Sequence, residues 1–204
     1  MKAILHGGEW ERLRNKVEHI IAEMDSSGSL KPTHQMCQFL IVGEDHRFHH
    51  HPGVDPIALC RAIWKTAFCG CRQGGSTIAM QFVRTVTGHY ERTWQRKLLE
   101  MVLAVRLTRH FGRDRLPALY LWVAYYGWRM NGFKQACSRI RLDPLSASEF
   151  ESALLVARLK YPEPLSLSRE RKRTIQCRAD HLITLWNSTK KAWPLSPIYS
   201  DGTL

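Results

Sequence analysis

The sequence holds 204 residues, 44% of them hydrophobic and 24% charged. That is enough for one domain with a substantial core and too apolar for a disordered chain. Thirty Lys and Arg against eighteen Asp and Glu give a formal charge of +12 and an isoelectric point near 9.8, so the surface suits polyanions: nucleic acid, anionic lipid headgroups or phosphorylated substrates.

In chain order, Met1 to Trp10 lacks the apolar core of a secretory signal. Trp10, Leu13, Val17, Ile20, Ile21 and Met24 recur at helical spacing, which predicts an amphipathic helix over 9–24. Asp25-Ser-Ser-Gly-Ser ends it. A short apolar run, Phe39 to Val42, leads into a His-rich loop at 44–56. The stretch Pro56 to Phe68 is again amphipathic, with Ile57, Cys60, Ile63, Trp64 and Phe68 on one side. Gln73-Gly-Gly-Ser-Thr77 reads as a loop that opens a helix. A long basic helix is expected over 91–111, ended by Gly112, and a further one from Leu116 to Gly127. Ala118 to Trp128 is the longest apolar stretch and is too short to span a bilayer, so no transmembrane anchor is expected in this chain. Ser146-Ala-Ser-Glu149 fits a capping box before a helix over Phe150 to Leu159, and Pro162 and Pro164 stop it. A last basic helix runs through Ile175, Leu182 and Trp186. Strand signals are few, so the fold class is mainly α.

The six cysteines show no zinc-like rhythm, since Cys69-Gly-Cys71 has no second pair to answer it; small, partly buried thiols are expected. His49, His50 and His51 are consecutive on a loop and cannot all converge on one ion.

Three constellations could carry chemistry. In Glu44-Asp45-His46-Arg47-Phe48, followed by His51, Gly53 and Asp55, adjacent carboxylates repel one another and Phe48 can desolvate the one that faces inward, which would make it a better base. The alternative is a solvated loop acid paired with Arg47. In Gly74-Gly75-Ser76-Thr77-Ile78-Ala79-Met80-Gln81, followed by Arg84, glycines before a helix start let backbone approach an anion, and the first-turn N–H groups favour phosphate. A simple Ser or Thr N-cap is the plainer reading. Arg92, Arg96, Lys97 and Glu100 lie on the long helix, where Arg96 and Glu100 form an i,i+4 pair. A solvated salt bridge is one reading. The other is a carboxylate that orients basic groups toward a diphosphate or holds a divalent ion.

Together, in order and spacing, these segments resemble the motifs of the family 51 peptidoglycan glycosyltransferases, the catalytic domains of bifunctional penicillin-binding proteins and of monofunctional transglycosylases. Glu44-Asp45-x-x-Phe48…His51-x-Gly53-x-Asp55 resembles the first motif, Gly74-Gly75-Ser76-Thr77-Ile78-x-x-Gln81 the second and Arg96-Lys97-x-x-Glu100 the third. Tyr120-Leu121 with Tyr126-Gly127 resembles the fourth, and Glu151 to Leu159 with Pro162 the fifth. Trp122 stands where the family has Asn, Met80 where it has the first of two glutamines, and Arg84 where it has Lys. Arg84 keeps the charge and gains bidentate phosphate geometry; Met80 is expected to remove one polar contact from the cleft.

The resemblance implies a lysozyme-like larger lobe and a small membrane-contacting jaw at about 56–73, within a glycosyltransferase domain at 30–190. Residues 1–29 are then an N-terminal helix and linker, and 191–204 a C-terminal tail. It further implies Glu44 and Glu100 as catalytic residues. Asp45, Phe48, His51, Arg61, Gly75, Ser76, Thr77, Gln81, Arg84, Arg92, Arg96 and Lys97 are implied substrate-binding residues. The substrate implied is lipid II with its growing glycan strand. The setting is the membrane surface at the outer, periplasmic face of the bacterial cytoplasmic membrane, in the company of cell-wall synthesis proteins. No organic cofactor is implied, and a divalent cation, Mg or Mn, is expected only near Glu100. No helix-turn-helix, zinc-finger or single-strand-binding pattern is present, so nucleic acid is not an expected partner. The rival readings are a lysozyme-like hydrolase and an impaired family member that binds lipid II or cell-wall complexes as a scaffold.

Overall fold

A computed structural model describes residues 7–69 and 74–192. The expected jaw residues 70–73, with Cys71, and nearly all of the expected tail lie outside the described residues. Most of the described chain is helical: α1 (Gly7–Asp25), α2 (His34–Glu44), α3 (Pro56–Cys69), α4 (Ile78–Thr87), α5 (Trp94–Phe111), α6 (Leu116–Val123), α7 (Phe133–Ile140), α8 (Glu149–Lys160) and α9 (Arg169–Ala192). A two-stranded antiparallel hairpin, β1 (Tyr125–Gly127) and β2 (Met130–Asn131), separates α6 from α7. No helix among the described residues is long and apolar enough to cross a membrane.

One continuous core runs through the fold, from Leu13 and Val17 of α1 to Ile175, Ala179 and Leu182 of α9. Helix α4 packs against both α5 and α6, and α9 lies along α8 and α2. The caps explain where most helices begin. Thr33, Thr77 and Thr93 are N-caps whose hydroxyls accept from the backbone N–H groups of Met36, Met80 and Arg96.

Four expectations need correction. The run Phe39 to Val42 belongs to a full helix, α2, whose first turns are polar (His34, Gln35, Gln38), so the apolar signal covers only its second half. The helix expected to reach Gly127 stops at Val123. Tyr125 to Gly127 instead forms a strand held from a distance: Glu163 N–H donates to the Tyr126 carbonyl at 3.0 Å and Trp128 N–H to the Glu163 carbonyl at 2.7 Å. Gly127 has φ +141°, and a Cβ there would lie 2.3 Å from the Glu163 carbonyl oxygen. The capping box sits two residues later than expected, at Ser148 and Glu151, because the Ser146 hydroxyl is used by Asp143 at 2.8 Å. Helix α7 has Phe133, Ala136 and Cys137 buried at helical spacing, a signal passed over between a hairpin and a charged surface.

The described cysteines, Cys37, Cys60, Cys137 and Cys177, are free thiols. Burial pushes those of Cys37 and Cys137 up to about 12, so both are inert at neutral pH.

Candidate active site

The C-terminus of α2 presents Glu44 and Asp45 in opposite senses. Asp45 turns inward and is buried. Its carboxylate receives His51 Nε2 at 2.9 Å and the backbone N–H of Ile78, the first residue of α4, at 3.1 Å. Gly53 N–H donates to His51 Nδ1 at 3.2 Å; the network therefore assigns the ring proton to Nε2, facing Asp45. Phe48 packs edge-on to His51, with ring centroids 6.5 Å apart.

This arrangement uses two of the first-turn amides of α4 within the chain itself. The positive end of α4 already holds an anion, the Asp45 carboxylate, and the Met80 N–H is taken by Thr77. Gly75 serves packing: a Cβ there would come within 2.9 Å of Ala62 on α3. Thr77 donates to the Gly53 carbonyl at 2.6 Å, so the first two motifs are laced together by Asp45, His51, Gly53 and Thr77. Asp55 completes the lacing by capping α3, accepting from Ile57 and Ala58 at 3.0 and 3.1 Å and from Arg47 at 2.9 Å. Burial alone would raise its carboxyl, but those hydrogen bonds and the Arg47 charge outweigh burial and hold it below the usual range. Arg47 is thus the partner of Asp55 and not of Glu44.

Glu44 faces outward into a hollow of about 460 Å³, lined with Arg61, Ser76, Thr77, Arg47 and Lys160. Its side chain is 25% exposed and is gripped from two sides. Arg178 of α9 donates to Oε1 at 3.2 Å, and the Gln81 amide approaches Oε2 at 3.4 Å. The amide is oriented by Tyr120, whose hydroxyl donates to Gln81 Oε1 at 2.9 Å and so leaves the NH₂ for Glu44. Burial and the nearby Glu44 charge raise the Tyr120 phenol above its ordinary range, so it stays a donor. Gln81 and Tyr120 also line a second hollow of about 450 Å³ with Arg84, Tyr90, Tyr125 and Asn131. Glu44 and Gln81 therefore stand where the two hollows meet.

Glu100, 3% exposed, is the centre of a cation cluster. Oε1 accepts from Arg84 Nη2 at 3.1 Å and Lys97 Nζ at 3.0 Å, and Oε2 accepts from Arg84 Nε at 3.1 Å and from Arg96 Nη1. The solvated-pair reading is thus replaced by a buried one. Burial pushes the Glu100 carboxyl up, yet the hydrogen bonds and charges of Arg84 and Lys97 hold it below the usual range. Burial lowers the Lys97 ammonium, and Glu100 restores it only in part. Ser76 receives Arg84 at 3.3 Å and Lys97 at 2.9 Å, which carries the cluster to the edge of the first hollow. Three positive side chains on one carboxylate leave a local surplus of two charges, +3 against −1. Because each Glu100 oxygen already accepts from two cationic nitrogens, the donor set does not fit a divalent cation there. Among the described residues no group of three or more His, Cys, Asp or Glu side chains could hold a metal ion.

Of the expected site residues, Arg61 faces the first hollow, and its Nε is buried without a hydrogen-bond partner. Arg92 is exposed in the connection before α5 and takes no part in the Glu100 ion pairs. Met80 is fully buried, so its thioether fills the core and its replacement of an amide removes nothing from the cleft. Trp122 is also buried, stacked on Phe133 at 6.2 Å with Lys134 over its ring. Sequence reasoning missed Arg178 and Lys160, which stand among many basic residues of α8 and α9 with nothing local to single them out.

The helical frame thus brings a partly exposed glutamate, Glu44, and a surplus of cations gathered on Glu100 to adjoining hollows. A family model described as "Transglycosylase" matches residues 15–185. The chain belongs to the transglycosylase family. It is similar to penicillin-binding protein 1A of Aquifex aeolicus, 33% identical over 156 residues, covering 72% of this chain and 20% of the relative. It is similar also to penicillin-binding protein 1A of Mycobacterium tuberculosis, 31% identical over 147 residues (70% and 18%). To penicillin-binding protein 1A of Escherichia coli it is 39% identical over 99 residues (48% and 12%). The matched stretches span no more than a fifth of the length of these three relatives.

Proposed function

We propose that the protein is a peptidoglycan glycosyltransferase that polymerises lipid II, with inversion at the MurNAc anomeric carbon and release of undecaprenyl pyrophosphate. Glu44 takes the proton of the acceptor GlcNAc 4-hydroxyl as that oxygen attacks the anomeric carbon. The bond from that carbon to the pyrophosphate oxygen breaks, its electron pair leaves with the diphosphate, and an α-linked donor becomes a β-linked product. The observation that carries this reading is the position of Glu44 at the meeting of two hollows, with Arg61 lining one and Arg84 the other.

A positioned base supplies about 10²–10⁴-fold. The larger demand is the departing diphosphate, and Arg84, Arg96 and Lys97 answer it as a fixed cluster already turned toward Ser76. Glu100 acts by holding those cations against their mutual repulsion. Arg61, with an uncommitted Nε, suits a second anionic group on the acceptor.

The membrane reading is supported by α3. Ile57, Trp64 and Phe68 are 58%, 62% and 71% exposed, and the Trp64 and Phe68 rings lie 4.3 Å apart. Such a face beside Lys65 suits the interfacial zone of an anionic bilayer, on the periplasmic side where lipid II is polymerised.

The test is polymerisation of purified lipid II followed by gel analysis of strands. Wild type yields polymer and Glu44→Gln yields none while keeping the same thermal midpoint. Failure of the wild-type chain to make polymer would favour a lipid II-binding scaffold over an enzyme.

A further inference from the structure

A second basic hollow lies outside the site described above. It is lined by Arg129, Lys134, Gln135, Ser138, Arg139 and Arg141, has a volume of about 700 Å³, and includes no acidic side chain in its wall. Lys134 is partly neutralised by Glu23 at 3.1 Å. Among the described residues Arg129, Arg139 and Arg141 form no ion pair with a carboxylate. Two of these flexible side chains are held in place: the guanidinium groups of Arg129 and Arg139 lie 4.4 and 4.9 Å from the Trp128 ring.

Backbone conformation adds an independent observation. Arg129 and Arg141 have φ of +56° and +55° and are the non-glycine residues of positive φ among the described residues. Glycine or asparagine would sit there at lower cost, about 1–2 kcal/mol in the glycine case. Arg141 ends α7, its N–H donating to the Cys137 and Ser138 carbonyls, a place where glycine is the usual residue; an arginine at such a strained turn points toward use of the side chain.

The hollow adjoins the cleft. Tyr125 and Asn131 of the hairpin line the hollow that holds Arg84, and the Asn131 N–H donates to Gln135 Oε1, on the wall of the basic hollow, at 3.1 Å. A polymer that occupies the Arg84 hollow and extends past Tyr125 and Asn131 therefore meets Arg129, Arg139 and Arg141 next.

We propose that this hollow is an exit subsite that binds the carboxylates of the peptides carried by the growing glycan strand. The proposal rests on the glycosyltransferase reading for the identity of the strand. It explains why the cations lie beyond the hollows that receive the diphosphates: sugars are neutral, and the next regular anions along the product are on its peptides.

The probes are soluble glycan fragments of defined length that carry their peptides, and bare N-acetylglucosamine oligomers of matched length, which have neither peptide nor lactyl carboxylate. They are tested against wild type and the variant R129N/R139Q/R141N, whose asparagines suit positive φ. Peptide-bearing fragments are expected to bind wild type at least tenfold more tightly than bare fragments. That difference should shrink with added salt and disappear in the variant. In lipid II polymerisation the variant is expected to couple its first units at the wild-type rate and to release shorter strands. Equal binding of intact and bare fragments to wild type overturns the proposal, and this arm needs neither a folded variant nor catalytic turnover. A variant that loses affinity only for vesicles containing anionic phospholipid also overturns it and makes the hollow a membrane contact. Absence of polymer from wild type, with the binding difference intact, would fail the glycosyltransferase reading alone.

Discussion

Arg178 on α9 donates to the Glu44 carboxylate at 3.2 Å and, through the same nitrogen, to the Gly43 carbonyl at 2.9 Å. One guanidinium thus fixes both the last turn of α2 and the acid that ends it, across 134 residues of sequence. Gly43 makes this possible, because a Cβ there would come within 2.5 Å of Leu182 and hold α9 away. Arg178→Ala is expected to lower kcat by ten- to a hundredfold through misplacement of Glu44. Arg178→Lys should recover part of the loss, since an ammonium keeps the charge but not the shared geometry. Steady-state kinetics on lipid II with both variants, alongside circular dichroism, measures this.

Removing Glu100 leaves Arg84, Arg96 and Lys97 close together without their counter-charge. Glu100→Gln is expected to cost about 3–5 kcal/mol, the scale for breaking a buried ion pair from one side. Thermal unfolding checks it.

Acid should act on the same group. The folded carboxyls of Asp55 and Glu100 both lie below their ordinary range, so the unfolded chain binds protons first as pH falls. Their stabilisation is complete above the ordinary carboxylate range, about pH 4, and is lost as pH falls through the depressed folded values. The thermal midpoint of wild type should therefore drop steeply below about pH 4, and Glu100→Gln should show a shallower decline in a pH series of melting curves.

Gly53 has φ +108°, and a Cβ there would meet the Ala104 carbonyl at 2.6 Å and the Thr108 hydroxyl at 2.5 Å. Gly53→Ala is expected to destabilise by about 1–3 kcal/mol from overpacking alone, with backbone strain added. Because Gly53 also receives Thr77, activity should fall further than stability. Denaturant titration and lipid II turnover together read both.

Met80→Gln installs the amide that the family pattern implies here, yet the position is fully buried. It should bring no gain in activity and cost about 1–3 kcal/mol for an unsatisfied amide. An increase in turnover would overturn the assignment of Met80 to the core.

Much of this architecture was legible in the chain. The helical spacing of Leu13, Val17 and Ile20 and the stops at Gly112 and Pro162 follow from local pattern, and the grouping of Glu44, Ser76, Gln81 and Glu100 is what the family resemblance implies. What escaped depends on contacts far along the chain. Tyr125 to Gly127 is a strand because Glu163 pairs with it, and no window around Tyr125 contains that residue. Asp45 and Glu44 are adjacent letters with opposite fates, decided by where the N-terminus of α4 arrives. Arg178 is one of many cations on α9, and only packing against α2 distinguishes it.

The Asp45 carboxylate at the head of α4 has one more effect. It occupies the Ile78 amide at the positive end of α4, so that amide is not free for a bound phosphate. On the proposed function, capture of the diphosphate falls to the side chains of Arg84, Arg96 and Lys97, already gathered on Glu100.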